Sequence, residues 1–241
     1  MADYLLIHGA WHGAWCWYRV ISLLEEAGHT VRAIDLPGRS DDTTPLADIT
    51  FDDFVNTACR GLEVNNEPTV LVGHSLGGIT ISAAAERAPD RIARLVYLSA
   101  LLPQSGQSAF DIVALPEMHF ADEGLNHIGR VPAEDGLSSS FRPDKMREVF
   151  YADCRDEDID FARANTCAEP TVIGTTPVNL TAERFGRVPR DYIQCRADRS
   201  IPLTAQRAMV EAVGCDRVYT LDTSHSPFLS APEQVVNILT S

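Results

Sequence analysis

Val70-Leu71-Val72-Gly73-His74-Ser75-Leu76-Gly77-Gly78 joins an apolar run to a helix-forming stretch through a serine flanked by glycines. The run is short enough for a buried strand. Ile79-Thr80-Ile81-Ser82-Ala83-Ala84-Ala85-Glu86-Arg87 then reads as a helix. In that setting Gly73-x-Ser75-x-Gly77 is the nucleophile-elbow pattern. A serine whose hydroxyl must project from a sheet edge sits on a strained, tight turn. The residues two before and two after it must be small enough to let strand and helix backbones approach.

Outward from this point the same rhythm repeats. Strands are expected at Tyr4–Ile7, Thr30–Ile34, Thr69–Val72, Leu95–Ser99, Tyr192–Cys195 and Arg217–Leu221. Helices are expected at Trp17–Ala27, Phe51–Glu63, Leu76–Arg87, Thr204–Val213 and Glu233–Leu239, with Gly28 and Pro89-Asp90 as stops and Pro232 as a first residue. Such alternation specifies an α/β fold: a mostly parallel open sheet with helices on both faces. Between Pro103 and Arg190 the rhythm breaks into prolines, short helical pieces and a charge cluster at Asp153–Asp160. A departure of that length is too long for a plain loop. It is expected to be an inserted helical cap, at about residues 103–190, over the carboxyl edge of the sheet, where open α/β sheets bind ligands.

The chain's 241 residues fit one such domain, residues 1–241. Its net charge of −14, from 34 acidic and 20 basic residues, repels phosphate backbones and anionic membranes. Nucleic acid and membranes are therefore not expected partners. No run of apolar residues is long enough for a membrane span. Met1–Gly9 enters a strand almost at once, without a basic region or a cleavage site, so the expected address is cytoplasmic. The six cysteines (Cys16, Cys59, Cys154, Cys167, Cys195 and Cys215) form no C-x-x-C pair and read as free thiols without a zinc or redox motif.

A serine hydroxyl is a weak nucleophile and needs a base oriented by an acid. In elbow-bearing sheets these follow in chain order, acid before histidine. His225 leaves the last strand in Leu221-Asp222-Thr223-Ser224-His225-Ser226-Pro227-Phe228 and is the expected base. His29 precedes a strand, His119 and His127 lie in the cap, His8 and His12 belong to the first loop, and His74 points elsewhere on the turn. Asp198, after Tyr192–Cys195, is the expected acid; the end of Leu95–Leu101 offers no carboxylate. Asp222 is the rival, and its plainer reading is a turn residue capping amides. An oxyanion needs two backbone N–H donors. Leu76 supplies one, and Ala10, in the glycine-rich loop His8–Trp15, the other. Trp11 is a candidate pocket residue, whereas Trp15 and Trp17 read as packing.

With these residues in hand, the chain resembles the α/β-hydrolase family. Within it the likeness is to the compact branch of plant salicylate-type methylesterases and hydroxynitrile lyases, and most of all to bacterial carboxylesterases of the pyrethroid-hydrolysing kind. Ile7–Tyr18, Gly28–Gly38, Gly73–Gly78, Thr181–Pro202 and Leu221–Phe228 match in order, as do the cap stretches Leu101–Ser108 and Leu180–Pro189. The resemblance implies Ser75 as nucleophile, His225 as base, Asp198 as acid and Ala10 and Leu76 as oxyanion donors. It implies no metal and no organic cofactor. The lyases carry a threonine directly after the histidine of the first loop and a lysine directly after the catalytic histidine. Here those positions are Gly9 and Ser226. Without a positive group to hold departing cyanide, esterase is the better expectation.

The expected function is therefore a serine carboxylesterase acting on a small, apolar ester through an acyl-enzyme. Two other readings stay open. One is a non-hydrolytic enzyme of the same fold, a lyase or cyclase, separable by product analysis. The other is a ligand-binding protein with a vestigial triad, separable by covalent labelling. Phe110, Ile112, Leu115, Phe120 and Phe141 suggest an apolar substrate group but read more simply as the cap's own core. An exposed cap face could pair two copies into a homodimer, though no sequence signal fixes it.

Overall fold

The structure, a computed structural model, describes residues 1–122 and 126–241, with side chains outside 120–125. The side chain of Phe120 lies outside the described residues.

Six strands form the main sheet: β1 (Asp3–Ile7), β2 (Thr30–Ile34), β3 (Thr69–His74), β4 (Ile92–Leu98), β8 (Arg190–Cys195) and β9 (Arg217–Leu221), in the order β2-β1-β3-β4-β8-β9. Every neighbouring pair is parallel. Alternation along the strands divides the core in two. Leu5, Ile7, Leu71, Leu95, Tyr97 and Tyr192 pack with helices α2 (Phe51–Leu62), α3 (Gly77–Arg87) and α9 (Leu203–Val213). Tyr4, Leu6, Val72, Val96, Leu98 and Ile193 pack with α1 (Tyr18–Glu26) and α11 (Pro232–Leu239) on the other face. Both faces are covered, so the strands read as nearly continuous apolar runs.

Local chemistry sets the helix ends. Thr50 caps α2, accepting the Asp53 amide at 3.2 Å, while the Asp53 carboxylate accepts the Thr50 amide at 2.8 Å. Phe51, Phe54, Val55, Ala58 and Leu62 then fall on one buried stripe. At the end of α1, Gly28 sits at φ 81° and the His29 amide reaches back to the Leu24 carbonyl at 3.0 Å. The first helix starts one residue later than expected because Ala14–Trp17 forms a 3₁₀ turn, which Asp35 opens by accepting the Ala14 amide at 2.7 Å.

The chain runs from β1 outward to β2 and returns to β3 on the opposite side of β1. The loops after β1 and β3 consequently diverge toward opposite faces and leave a crevice at their carboxyl ends. The insertion between β4 and β8 covers that edge. It carries the helices α4 (Ala109–Val113), α5 (Asn126–Gly129), α6 (Pro143–Phe150), α7 (Asp156–Asn165) and α8 (Thr171–Thr175). It is not wholly helical, which corrects the sequence reading. β5 (Arg130–Pro132), β6 (Ser138–Phe141) and β7 (Glu169–Pro170) form a small antiparallel sheet. Strands this short and serine-rich carry no alternating apolar signal.

Among the described residues, the insertion's buried apolar side chains form no core of their own. Ile112 joins the cluster under α2 and α3, with Leu115 packed against it, whereas Phe141 and Phe150 join the cluster under α1. After the last strand, α10 (Pro227–Ser230) leads into α11.

Candidate active site

Ser75 follows β3 at φ 52°, in the left-handed region that costs a non-glycine residue roughly 1–3 kcal/mol. Its surroundings enforce the turn. A Cβ on Gly73 would lie 2.9 Å from the Gly77 carbonyl oxygen, and one on Gly77 would lie 2.6 Å from the His8 carbonyl oxygen. The Ser75 carbonyl accepts the Gly78 amide at 3.1 Å and the Leu101 amide at 3.0 Å, tying the turn to the start of the insertion. Gly9 leaves room from the other side, since a Cβ there would stand 2.7 Å from the Ser75 Cβ.

His225 follows β9 and is buried, with Nδ1 2.7 Å from Asp198 Oδ2. Asp198 follows β8 and is held on every side. Its Oδ1 accepts the Ser200 amide at 2.7 Å and the Ile201 amide at 2.8 Å, and its Oδ2 also accepts the Ser99 hydroxyl. Ser99, just past β4, is itself strained at φ 39°. The His225 loop is fixed by two further contacts. The neutral His74 ring donates through Nε2 to the His225 carbonyl at 2.9 Å, and Asp153 accepts the Ser224 amide at 2.8 Å together with the Ser224 hydroxyl. Burial and the neighbouring histidines hold His74 well below the ordinary histidine range. Its ring lies 4.5 Å from the His225 ring, centroid to centroid, so His225 stands against the residue that precedes Ser75. The His225 ring's side-chain hydrogen bond is to Asp198, and the Ser75 hydroxyl is not in hydrogen-bonding geometry with Nε2. Such bonds are often loose until substrate binds. The rival Asp222 is elsewhere: it forms an exposed ion pair with Arg196 at 2.9 Å and caps no amide among the described residues.

The loop after β1 brings Ala10 and Trp11 to the same crevice. The peptide between them is pinned at both edges. The Ala10 carbonyl accepts His12 Nδ1 at 2.7 Å, and the Trp11 amide donates to Glu169 Oε2 at 3.0 Å. Burial lowers the His12 pKa to about 4, so its ring is neutral near pH 7 and its Nε2 is free to accept the Tyr151 hydroxyl. Trp11 occupies φ 61°, and its indole donates to the Ser139 carbonyl at 3.0 Å. Glu169 is paired with buried Arg39, whose Nε donates to the His12 carbonyl at 2.9 Å. Burial pushes the Glu169 carboxyl up from its ordinary value while Arg39 pulls it down, burial prevailing. Among the described residues, neither the Ala10 amide nor the Leu76 amide donates to a protein acceptor.

Ala10, Trp11, Ser75 and Leu76 line one cavity of about 360 Å³, closed by Leu101, Val113, Met118 and Ile201. Asp198 and His225 are buried and do not line it, but Ser200 and Ile201, whose amides Asp198 accepts, do. Trp17 is fully buried beneath α1's start, and Trp15 packs against the same cluster. Four site residues escaped the sequence reading. Ser99 had a faint signal, a polar residue at a strand's carboxyl end. Arg39, Asp153 and Glu169 had none, because their partners lie far away in the chain. All six cysteines are free. Among the described residues, no helix is long and apolar enough to cross a membrane.

The alpha/beta hydrolase family pattern matches residues 4–238. The chain belongs to that family. The hydrolase is 32% identical over 244 residues to Methylesterase 1 of Arabidopsis thaliana, covering 96% of this chain and 92% of that one. It is 32% identical over 247 residues to polyneuridine aldehyde esterase of Rauvolfia serpentina, covering 98% and 93%. A crystal structure of polyneuridine aldehyde esterase superposes with a TM-score of 0.88 at 30% identity, covering 100% of this hydrolase and 98% of that chain. A pyrethroid hydrolase from Sphingobium faniae JZ-2 superposes with a TM-score of 0.87 at 29% identity, covering 99% and 96%.

Proposed function

We propose that this hydrolase is a serine carboxylesterase that cleaves a small ester through an acyl-enzyme. The observation that carries the reading is a strained serine and two amides without protein acceptors on one cavity, with a buried histidine–aspartate pair packed against the residue that precedes the serine. Ser75 Oγ attacks the ester carbonyl as His225 Nε2 takes its proton. Asp198, satisfied by four hydrogen bonds, holds the imidazole in the tautomer with Nδ1–H and stabilises the imidazolium that forms. The tetrahedral oxyanion is received by the Ala10 and Leu76 amides, each worth about 3–4 kcal/mol of barrier by the usual scale for such donors. His225 then protonates the departing alcohol. It next activates water, which releases the acid and restores Ser75. The cavity's size and its Leu, Val, Met and Ile lining support a compact, largely apolar ester.

The test is Ser75→Ala. The variant is expected to lose nearly all turnover of p-nitrophenyl acetate and butyrate while keeping the wild-type circular dichroism spectrum. Undiminished hydrolysis in a folded variant would overturn the assignment.

A further inference from the structure

One end of the cavity departs from its apolar lining. Arg130 and Glu169 are its charged lining residues among those described, and their situations differ. Glu169 is compensated: Oε2 faces Arg39 and the Trp11 amide, and Oε1 is buried without a partner. Arg130 carries a charge that no carboxylate among the described residues meets. Its guanidinium lies over the Phe110 ring, 4.8 Å from the centroid, and Phe110 lines the cavity too. Among the described residues only Nε is engaged, donating to Ser139 Oγ at 3.3 Å. The two terminal nitrogens have no protein acceptor among the described residues, which leaves a planar fork of N–H donors beside an aromatic ring. That is the geometry that matches a carboxylate in bidentate fashion.

The location ties this fork to the chemistry. Arg130 stands opposite Phe141 across β5 and β6, and the Phe141 ring packs 5.0 Å from the Trp11 ring. Ser139, which takes the Arg130 Nε bond, is also the residue whose carbonyl receives the Trp11 indole. The guanidinium is therefore on the wall that carries the Ala10–Trp11 loop. With Glu169 paired to Arg39, which lies outside the lining, Arg130 is the charge on this wall that no described carboxylate meets, although the whole chain bears −14.

We infer that Arg130 is a specificity-determining residue that selects esters carrying a carboxylate a short apolar chain away from the scissile carbonyl. The inference rests on the esterase reading and names its substrate class. Half-esters of small dicarboxylic acids, or acyl esters of small hydroxy acids, have that form.

The experiment compares kcat/KM for monomethyl adipate with dimethyl adipate, and for acetoxyhexanoate with its methyl ester, in wild type, Arg130→Gln and Arg130→Lys. In wild type at least one charged ester is expected to exceed its uncharged counterpart by about tenfold, the scale of one charge-assisted hydrogen-bonded pair. That ratio is expected to collapse toward one in R130Q and to be partly kept in R130K, which retains the charge and loses the fork. No preference for either charged ester, or a preference that survives in R130Q, would overturn the inference. Turnover of p-nitrophenyl acetate in wild type separates the two claims, because its absence counts against the esterase reading instead. In that event titration calorimetry with adipate decides the inference: binding to wild type that R130Q weakens about tenfold upholds it, and equal or absent binding overturns it.

Discussion

Removing the Glu169 carboxylate should loosen the loop after β1 and destabilise the whole protein. In Glu169→Ala the Arg39 guanidinium, whose side chain is 1% exposed, loses its counter-ion and keeps only backbone carbonyls. Breaking a buried pair from one side typically costs about 3–5 kcal/mol, because the remaining charge stays buried. The Trp11 amide loses its acceptor as well, within a segment already strained at φ 61°. A domain has only about 5–15 kcal/mol of stability in total, so the expected loss is a large fraction of it. Glu169→Gln keeps an acceptor for Trp11 and should lose about half as much by the same scale. Replacing Arg39 and Glu169 together with methionine should recover most of the loss, since apolar substitutes for a buried pair are often near neutral. Urea unfolding followed by tryptophan fluorescence gives the stabilities, and steady-state hydrolysis of p-nitrophenyl acetate gives the second readout. If the pair positions the Ala10 amide, kcat in E169A should fall about tenfold or more, short of the 100–1000-fold typical when an oxyanion donor is removed outright. An E169A protein within about 1 kcal/mol of wild type, with unchanged kcat, would refute the reasoning.

Asp198 and Asp222 should separate cleanly. Asp198→Asn should reduce kcat by about 10⁴-fold by analogy with other triads, because the amide favours the wrong imidazole tautomer. Asp222→Asn, which disturbs only an exposed ion pair, should leave kcat within about twofold and stability within about 0.5 kcal/mol. Acid should destabilise the fold through its buried histidines. His8, His12 and His74 all have pKa values lowered chiefly by burial, so in the folded state they bind fewer protons than in the unfolded chain. Their contribution is present above pH 6.5, the unfolded value, and is lost as pH falls toward the folded values, about 4 for His12. Urea midpoints should therefore drop steadily between pH 6.5 and 4. For His12 alone the shift from 6.5 to about 4 corresponds to a loss on the order of 3 kcal/mol. A flat profile over that window would contradict the neutral-histidine assignments.

Local pattern made the main sheet legible, and distance in the chain hid the rest. Thr30–Ile34 and Arg217–Leu221 are strands at the bounds the sequence suggests, because each is a compact run between turn signals. β8 begins earlier than expected, since Arg190 looks like a surface residue yet is buried against Phe185, 4.2 Å from its ring. Chain order and strand ends were enough to single out Asp198 and His225, which the folded chain brings within 2.7 Å. Asp153, Glu169 and Arg39 could not be found that way. Each acts on a loop through a contact 71, 158 or 130 residues away, and nothing in local spacing encodes such pairings. The small sheet of the insertion was missed for a related reason. Its strands are only two to four residues long, too short for alternation to stand out, and Ser139, Phe141 and Glu169 find their partners in Trp11 and Arg39 far away in the chain.

The most direct test of the central claim is intact-mass spectrometry after incubation with a fluorophosphonate, followed by peptide mapping. A single adduct is expected on Ser75, formed rapidly in wild type and much more slowly in D198N. No adduct on the folded protein, or an adduct on another residue, would contradict the claim.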